Sequence, residues 1–464
     1  MANPHPHFLI ITFPAQGHIN PALELAKRLI GVGADVTFAT TIHAKSRLVK
    51  NPTVDGLRFS TFSDGQEEGV KRGPNDLPVF QRLASENLSE LIMASANEGR
   101  PISCLIYSIL IPGAAELARS FNIPSAFLWI QPATVLDIYY YYFNGFGDLI
   151  RSKSSDPSFS IELPGLPSLS RQDLPSFFVG SDQNQENHAL AAFQKHLEIL
   201  EQEENPKALV NTFDALEPEA LRAVEKLKLT AVGPLVPSGF SDGKDASYTP
   251  SGGDLSDGSR DYMEWLKSKP ESTVVYVSFG SISMFSMQQM GEIARGLLES
   301  GRPFLWVIRA KENGEENKEE DKLSCQEELE KQGMLIQWCS QMEVLSHPSL
   351  GCFVTHCGWN SSIESLASGV PMIAFPQWAD QGTNTKLIKD VWKTGIRLMV
   401  NEEEIVTSDE LKRCLELVMG DGEKGQEMRK NAKKWKILAK EALKEGGSSH
   451  KNLKNFVDEV IQGY

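Results

Sequence analysis

Paired cysteines, long apolar runs and an excess of basic charge are all missing from this sequence. Its six cysteines (Cys104, Cys325, Cys339, Cys352, Cys357 and Cys414) are scattered through 464 residues without a CxxC pair. That argues against a structural zinc site or a disulfide framework and suits a reducing compartment. No apolar stretch reaches the roughly 18 residues needed to cross a bilayer. The short apolar run at 8–13 follows a start without a basic region, so it reads as a first strand rather than a secretory leader. A cytoplasmic protein without membrane insertion is expected. Lys+Arg number 46 against 61 Asp+Glu, a net charge of −15, which opposes binding to nucleic-acid backbones or anionic membranes. An anionic ligand would have to be held by local hydrogen bonds. The glycine fingerprint of dinucleotide-binding enzymes is missing too: the loop Phe13-Pro14-Ala15-Gln16-Gly17-His18 holds a single glycine, which disfavours a nicotinamide oxidoreductase.

What is present is enough chain for two hydrophobic cores, at roughly 200–250 residues each. After the strand at 8–13, Asn20 and Pro21 read as an N-cap with proline at the first helical position. Ala22, Leu25, Ala26 and Leu29 follow at helical spacing, and a second strand is expected at 36–40. Further strands at 57–62, 104–107, 126–129 and 208–211, separated by helical stretches, imply a parallel sheet covered on both faces. A Ser/Gly/Asp-rich segment at 238–258 marks a linker. The alternation then resumes, with strands expected at 273–279, 304–308, 335–337, 352–355 and 372–375. The acidic run at 311–330 reads as a solvated loop and helix. The expectation is α/β: a domain at 1–237, a linker at 238–258, a second domain at 259–445 and a final helix at 446–464 packing back on the first domain.

Ligands of parallel sheets bind beyond the carboxyl ends of strands, where helix N-termini favour phosphates. The strand at 352–355 runs into His356-Cys357-Gly358-Trp359-Asn360-Ser361, with Glu364 on the following helix. Gly358 allows close backbone approach, and His356 and Ser361 can donate to an anion. Ser361-x-x-Glu364 also reads as a capping box, which needs no ligand. The neighbourhood favours a ligand: stacking and hydrogen-bonding residues crowd the stretch from Trp338 to Gln381 beyond what a core requires.

That stretch, WCSQMEVLSHPSLGCFVTHCGWNSSIESLASGVPMIAFPQWADQ, resembles the signature of plant uridine-diphosphate-sugar glycosyltransferases that modify small molecules. The likeness extends to FPAQGHINPALELAKRL and to the VSFGS turn ending at Ser281. The segment CLIYSILIPGAAELARSFNIPSAFLWIQPA is similar to the subgroup holding anthocyanin 5-O-glucosyltransferases and enzymes that form glucose esters. The resemblance implies two facing Rossmann-like domains of GT-B type with a cleft between them, the N-terminal one for the acceptor and the C-terminal one for the UDP-sugar.

Carried onto these residues, the resemblance stacks uracil on Trp338, within a donor set that includes Cys339, and gives the ribose hydroxyls to Gln341 and Glu364. The diphosphate falls to Ser281, His356, Asn360 and Ser361, and the sugar to Trp359, Asp380 and Gln381. Glutamine at the last position goes with glucose. His18 resembles the general base, and the other histidines read as surface or structural groups. The resemblance implies an inverting O-glucosyltransferase that is a monomer, with UDP-glucose as co-substrate, a flat plant phenol or carboxylic acid as acceptor, and no metal or other cofactor. Two positions depart from the family. Ser108 stands where many relatives carry the aspartate that orients and charges the catalytic histidine, and Ile130 replaces a hydroxyl residue, leaving Gln131 as a polar substitute. A nucleotide-sugar binder without catalysis is the alternative from another class.

Overall fold

In the computed structural model the described residues are 5–46, 54–64, 77–153, 156, 158–178, 188–237, 261–280, 285–308 and 325–463. The linker expected at 238–258 lies outside them. The chain divides into two compact units, one of Met1–Arg171, Phe177–Gly253 and Lys440–Tyr464, the other of Gln172–Ser176 and Asp254–Ala439. The units depart from the boundaries expected from sequence at 172–176, which joins the second unit, and at 440–445, which joins the first. Their contacts are long-range and leave no trace in local pattern.

The first unit is built on strands β1 (His7–Ile11), β2 (Asp35–Thr41), β3 (Leu57–Phe62), β4 (Cys104–Ser108) and β5 (Ser125–Trp129). A two-stranded hairpin follows, β6 (Ser160–Ile161) with β7 (Leu169–Ser170), and then β8 (Ala208–Val210) and β9 (Leu229–Ala231) return to the main sheet. That sheet runs β3-β2-β1-β4-β5-β8-β9, and every pair in it is parallel. β1 and β4 are buried along their whole length, as continuous apolar runs covered on both faces should be. The C-terminal helix Ser448–Gln462 packs Phe456 on Phe8, ring centroids 5.8 Å apart. Its Ser449 hydroxyl donates to the Gly233 carbonyl at 2.5 Å.

The second unit holds β10 (Val274–Ser278), β11 (Phe304–Val307), β12 (Met334–Ile336), β13 (Leu350–Thr355), β14 (Met372–Ala374) and β15 (Gly395–Arg397). They form one parallel sheet in the order β12-β11-β10-β13-β14-β15. Its core joins Val275, Val277 and Val354 to Ile293, Leu297, Leu411 and Leu415 from the covering helices. In both sheets the order reverses beside the first strand, between β1 and β4 and between β10 and β13, and such reversals open a crevice for ligands. Among the described residues no helix is long and apolar enough to cross a membrane.

Two local expectations are corrected. The first helix spans Gln16–Gly31 with Ala15 as N-cap and Pro21 inside it, so Asn20 is no cap and its buried Oδ1 has no hydrogen-bond partner. The His18 and Ile19 amides both donate to the Ala15 carbonyl, at 2.9 and 3.0 Å. The helix is therefore already nucleated before the proline, which forfeits only one further bond. The capping box does not form either. The helix Trp359–Ser368 starts from Gly358 without a side-chain cap, which puts Ser361 a turn inside.

Candidate active site

The donor-type residues of the second unit converge around β10 and β13. Past β13, Cys357 holds a left-handed φ of 61° and turns the chain into the helix Trp359–Ser368. The His356 ring is wedged between two glycines. A Cβ on Gly280 would lie 2.7 Å from its Cε1 and Nε2, and one on Gly358 2.6 Å from Nε2. No side chain fits at either place. Burial lowers the His356 pKa to about 4, against an opposing hydrogen bond to the Ser278 backbone, so the imidazole is neutral at pH 7.

Gln341 opens the short helix Gln341–Leu345 and joins two other predicted residues. Its amide Nε2 donates to Glu364 Oε2 at 2.7 Å and to Ser361 Oγ at 3.0 Å, while its Oε1 accepts from the Tyr276 hydroxyl at 3.3 Å. Trp338 sits half-buried just after β12. Cys339 and Trp359, by contrast, put their side chains in the interior. Cys339 lies 3.3 Å from the Tyr276 hydroxyl, and the Trp359 ring packs 5.9 Å from Trp392. Asn360 lies in the first turn of the helix from Trp359, and Ser281 falls outside the described residues.

Asp380 and Gln381 are both buried. Burial pushes the Asp380 carboxyl up to about 6, against an opposing hydrogen bond from Asn384. The Asn384 amide donates to Asp380 Oδ2 at 2.7 Å and to the Cys357 carbonyl at 2.8 Å, linking the β13 turn to this loop. Gln381 Oε1 accepts the backbone N–H groups of Gln377 and Trp378 at 2.7 and 3.1 Å. Those donors fix the amide orientation, so the end that Gln381 can offer a ligand is its NH2.

In the first unit, His18 lies in the first turn after β1. Its ring is 5.3 Å from Phe13, which packs at 5.3 Å against Phe80. Burial lowers its pKa to about 4, and its buried Nδ1 has no hydrogen-bond partner. Ser108, at the position of the aspartate that many relatives carry, pairs its hydroxyl with Thr12 Oγ1 at 2.8 Å at the end of β4. A serine is shorter than an aspartate, and its hydroxyl is taken up by Thr12. Ile130 is buried, and Gln131 keeps a buried Oε1 without a partner.

Trp129, Tyr139 and Tyr142 of the first unit are core. The Trp129 indole N–H donates to the Pro132 carbonyl at 2.8 Å, Tyr139 meets the Phe193 ring at 4.7 Å, and Tyr142 stacks on Phe178 at 3.9 Å. Sequence reading missed Asp137 among them. It is fully buried with neither carboxylate oxygen partnered, and its pKa is raised well above the ordinary value, first by burial and then by Glu217. It missed the strap Gln172–Ser176 as well, since no motif marks it.

Comparison with known proteins adds an independent line. Residues 254–434 match the family model for UDP-glucoronosyl and UDP-glucosyl transferases. The chain is 59% identical to a crocetin glucosyltransferase, chloroplastic, of Gardenia jasminoides, over 99% of this chain and 98% of that protein. It is 50% identical to an anthocyanidin 3-O-glucoside 5-O-glucosyltransferase of Verbena hybrida, over 98% of this chain and 99% of that protein. The crystal structure of Os79 from O. sativa in complex with UDP superposes with a TM-score of 0.84 at 32% identity, covering 98% of this chain and all of that one.

Proposed function

We propose an acceptor and a mechanism for this chain, which belongs to the plant UDP-glycosyltransferases and is a hexosyltransferase: inverting transfer of glucose from UDP-glucose to a phenolic hydroxyl of a small flavonoid- or anthocyanin-like acceptor. The observation that carries the donor half is the braced set of Gln341, Ser361 and Glu364 beside a neutral His356 wedged between two glycines. Uracil stacks on Trp338, and Glu364 and Gln341 receive the ribose hydroxyls. The diphosphate takes hydrogen bonds from Ser281 and from His356, Asn360 and Ser361, the last three at the head of the helix from Trp359, whose dipole favours negative charge. Asp380 accepts from glucose hydroxyls and the Gln381 NH2 donates to their oxygens.

His18 takes the proton of the acceptor hydroxyl as its oxygen bonds to the anomeric carbon, and the bond from that carbon to the diphosphate breaks on the opposite face. UDP carries away the electron pair. His18 then returns its proton to solvent, and no covalent sugar intermediate forms. The charge that builds on the leaving diphosphate is stabilised by donors already in place. We assign no metal or other cofactor to this step, and place the enzyme in the cytosol as a monomer.

Glucose-ester formation on a carboxylic acid is the second reading. The pairing of Ser108 with Thr12 favours it, because His18 is left without a carboxylate to stabilise its imidazolium. A carboxylic acid, with a pKa of about 4, needs no base at neutral pH. Matched phenol, carboxylic-acid and alcohol acceptors offered with UDP-glucose and read by mass decide between them. Product from phenols upholds the first reading, product from acids alone upholds the second, and UDP binding without any transfer in the presence of the panel defeats both. Added chelator should leave turnover unaltered.

A further inference from the structure

The loop that carries Asp380 and Gln381 is held from outside the signature stretch by five residues of distant sequence. Ser176 grips Ala379 twice: the Ala379 amide donates to Ser176 Oγ at 2.7 Å, and the Ser176 amide donates to the Ala379 carbonyl at 3.0 Å. Ala379 needs a grip, since its φ of 55° is left-handed, a conformation disfavoured without glycine. On the other side of the pair, the Thr383 hydroxyl donates to the Asp173 carbonyl at 2.6 Å. A Cβ on Gly382 would come within 2.5 Å of the Gln172 carbonyl oxygen. Asp173 and Arg397, both buried, form an ion pair at 3.0 Å, and the same guanidinium donates to the Gly382 carbonyl at 2.8 Å. The contacts fall on 379, 382 and 383, immediately either side of 380–381. The hydrogen bonds of Gln341 run elsewhere, to Ser361, Glu364 and Tyr276.

We propose that Gln172–Ser176 is a positioning strap for the sugar subsite, with Ser176 and the Asp173–Arg397 pair setting where Asp380 and Gln381 meet the hexose. This rests on the reading of Asp380 and Gln381 as sugar-binding residues. The strap acts through the loop and touches no substrate itself. It governs discrimination among sugars and leaves the hold on UDP alone.

The test compares Ser176→Ala, Ser176→Thr and Asp173→Asn with the parent enzyme. Three quantities are read: UDP affinity by calorimetry, KM and kcat for UDP-glucose, and the ratio of kcat/KM for UDP-glucose over UDP-galactose. Ser176→Ala should keep UDP affinity within about twofold. It should raise the KM for UDP-glucose roughly tenfold and shrink the glucose preference by a similar factor. Ser176→Thr, which keeps the hydroxyl, should restore both. Asp173→Asn should act in the same direction, and if it fails to fold the serine pair still decides. Equal losses of UDP and UDP-glucose affinity would make the strap merely structural, and an unchanged sugar preference in Ser176→Ala would overturn the proposal. Asp380→Asn and Gln381→Ala isolate the underlying reading. If those two leave the sugar preference intact, the sugar assignment fails; if they alter it while Ser176→Ala does not, only the strap fails.

Discussion

The two sheets share one strand order around their first strand, yet the loops at the two reversals are finished differently. At the β10/β13 reversal the polar groups brace one another. Gln341 ties Ser361 to Glu364, Asn384 ties Asp380 to Cys357, and two glycines fix His356. At the β1/β4 reversal Thr12 and Ser108 satisfy each other, and His18 is left against Phe13 without a partner at Nδ1. A braced polar shell suits a ligand whose hydrogen-bonding pattern never changes, such as a nucleotide diphosphate. An apolar wall with one basic nitrogen suits ligands that share flatness and one acidic proton.

The comparison breaks most visibly at His18. His18→Ala should lower phenol glucosylation by roughly 10²–10⁴-fold, the usual contribution of a positioned base, while carboxylic acids, already ionised, lose far less. Steady-state rates on matched acceptors measure it, and equal losses on both classes would remove His18 from the proton transfer. Ser108→Asp sharpens the contrast by giving the first reversal the charge it lacks, and should raise rates on phenols and alcohols over those on acids.

Next in size is the donor side. Trp338→Ala should weaken UDP binding by about 1–3 kcal/mol, the worth of a stacked base. Glu364→Ala should also weaken it, because it takes the ribose acceptor and leaves the Gln341 amide only Ser361 to donate to. Calorimetry on variants with unchanged thermal unfolding reads both, and unaltered affinity in the pair would move the nucleotide elsewhere.

The pH profile separates the two reversals without any change of substrate. His18 stays unprotonated down to about pH 4, whereas Asp380 takes up a proton near pH 6 and then ceases to accept from sugar hydroxyls. The acid limb of kcat/KM for UDP-glucose should therefore lie near 6, and Asp380→Asn should shift it toward 4 while lowering the plateau. A limb that stays near 6 in that variant belongs to another group.

The smallest effect concerns stability. His196 is buried with both ring nitrogens unpartnered, stacked 4.5 Å from Phe127, and burial lowers its pKa to about 3. The unfolded chain takes up that proton first as pH falls below 6.5, so stability is lost from there down to about 3. His196→Phe should flatten that slope and add about 1–3 kcal/mol at neutral pH by removing unsatisfied polar atoms, as urea unfolding at pH 7 and pH 5 would show.

The interior strands were legible because parallel strands covered on both faces must be apolar throughout, as Phe8 to Ile11 and Val274 to Val277 are. β9 and β15 were not: three residues carry no period, and β15 opens on a glycine and closes on Arg397. The signature stretch named candidate donor residues by type, but not that the Trp359 and Cys339 side chains turn inward. The Asx-Pro pair at 20–21 and the S-x-x-E at 361–364 were cap signals overruled by helices that begin earlier. Asp137 sits in an otherwise apolar helix without any motif to announce its lack of a partner. The strap could not be read at all, because its partners lie some two hundred residues away and its own five letters, QDLPS, look like any turn.

That strap also bears on how the protein can be taken apart and recombined. The second unit is not one continuous stretch: it needs Gln172–Ser176, while Lys440–Tyr464 belongs to the first. A fragment cut at 254–439 would leave Arg397 a buried cation without its aspartate, a strongly destabilising loss. In a chimera that exchanges acceptor halves between relatives, the incoming half brings its own 172–176 to the resident loop at 378–383. Selectivity for the sugar would then travel with the half chosen for its acceptor, unless those five residues are kept with the parent that supplies the signature stretch.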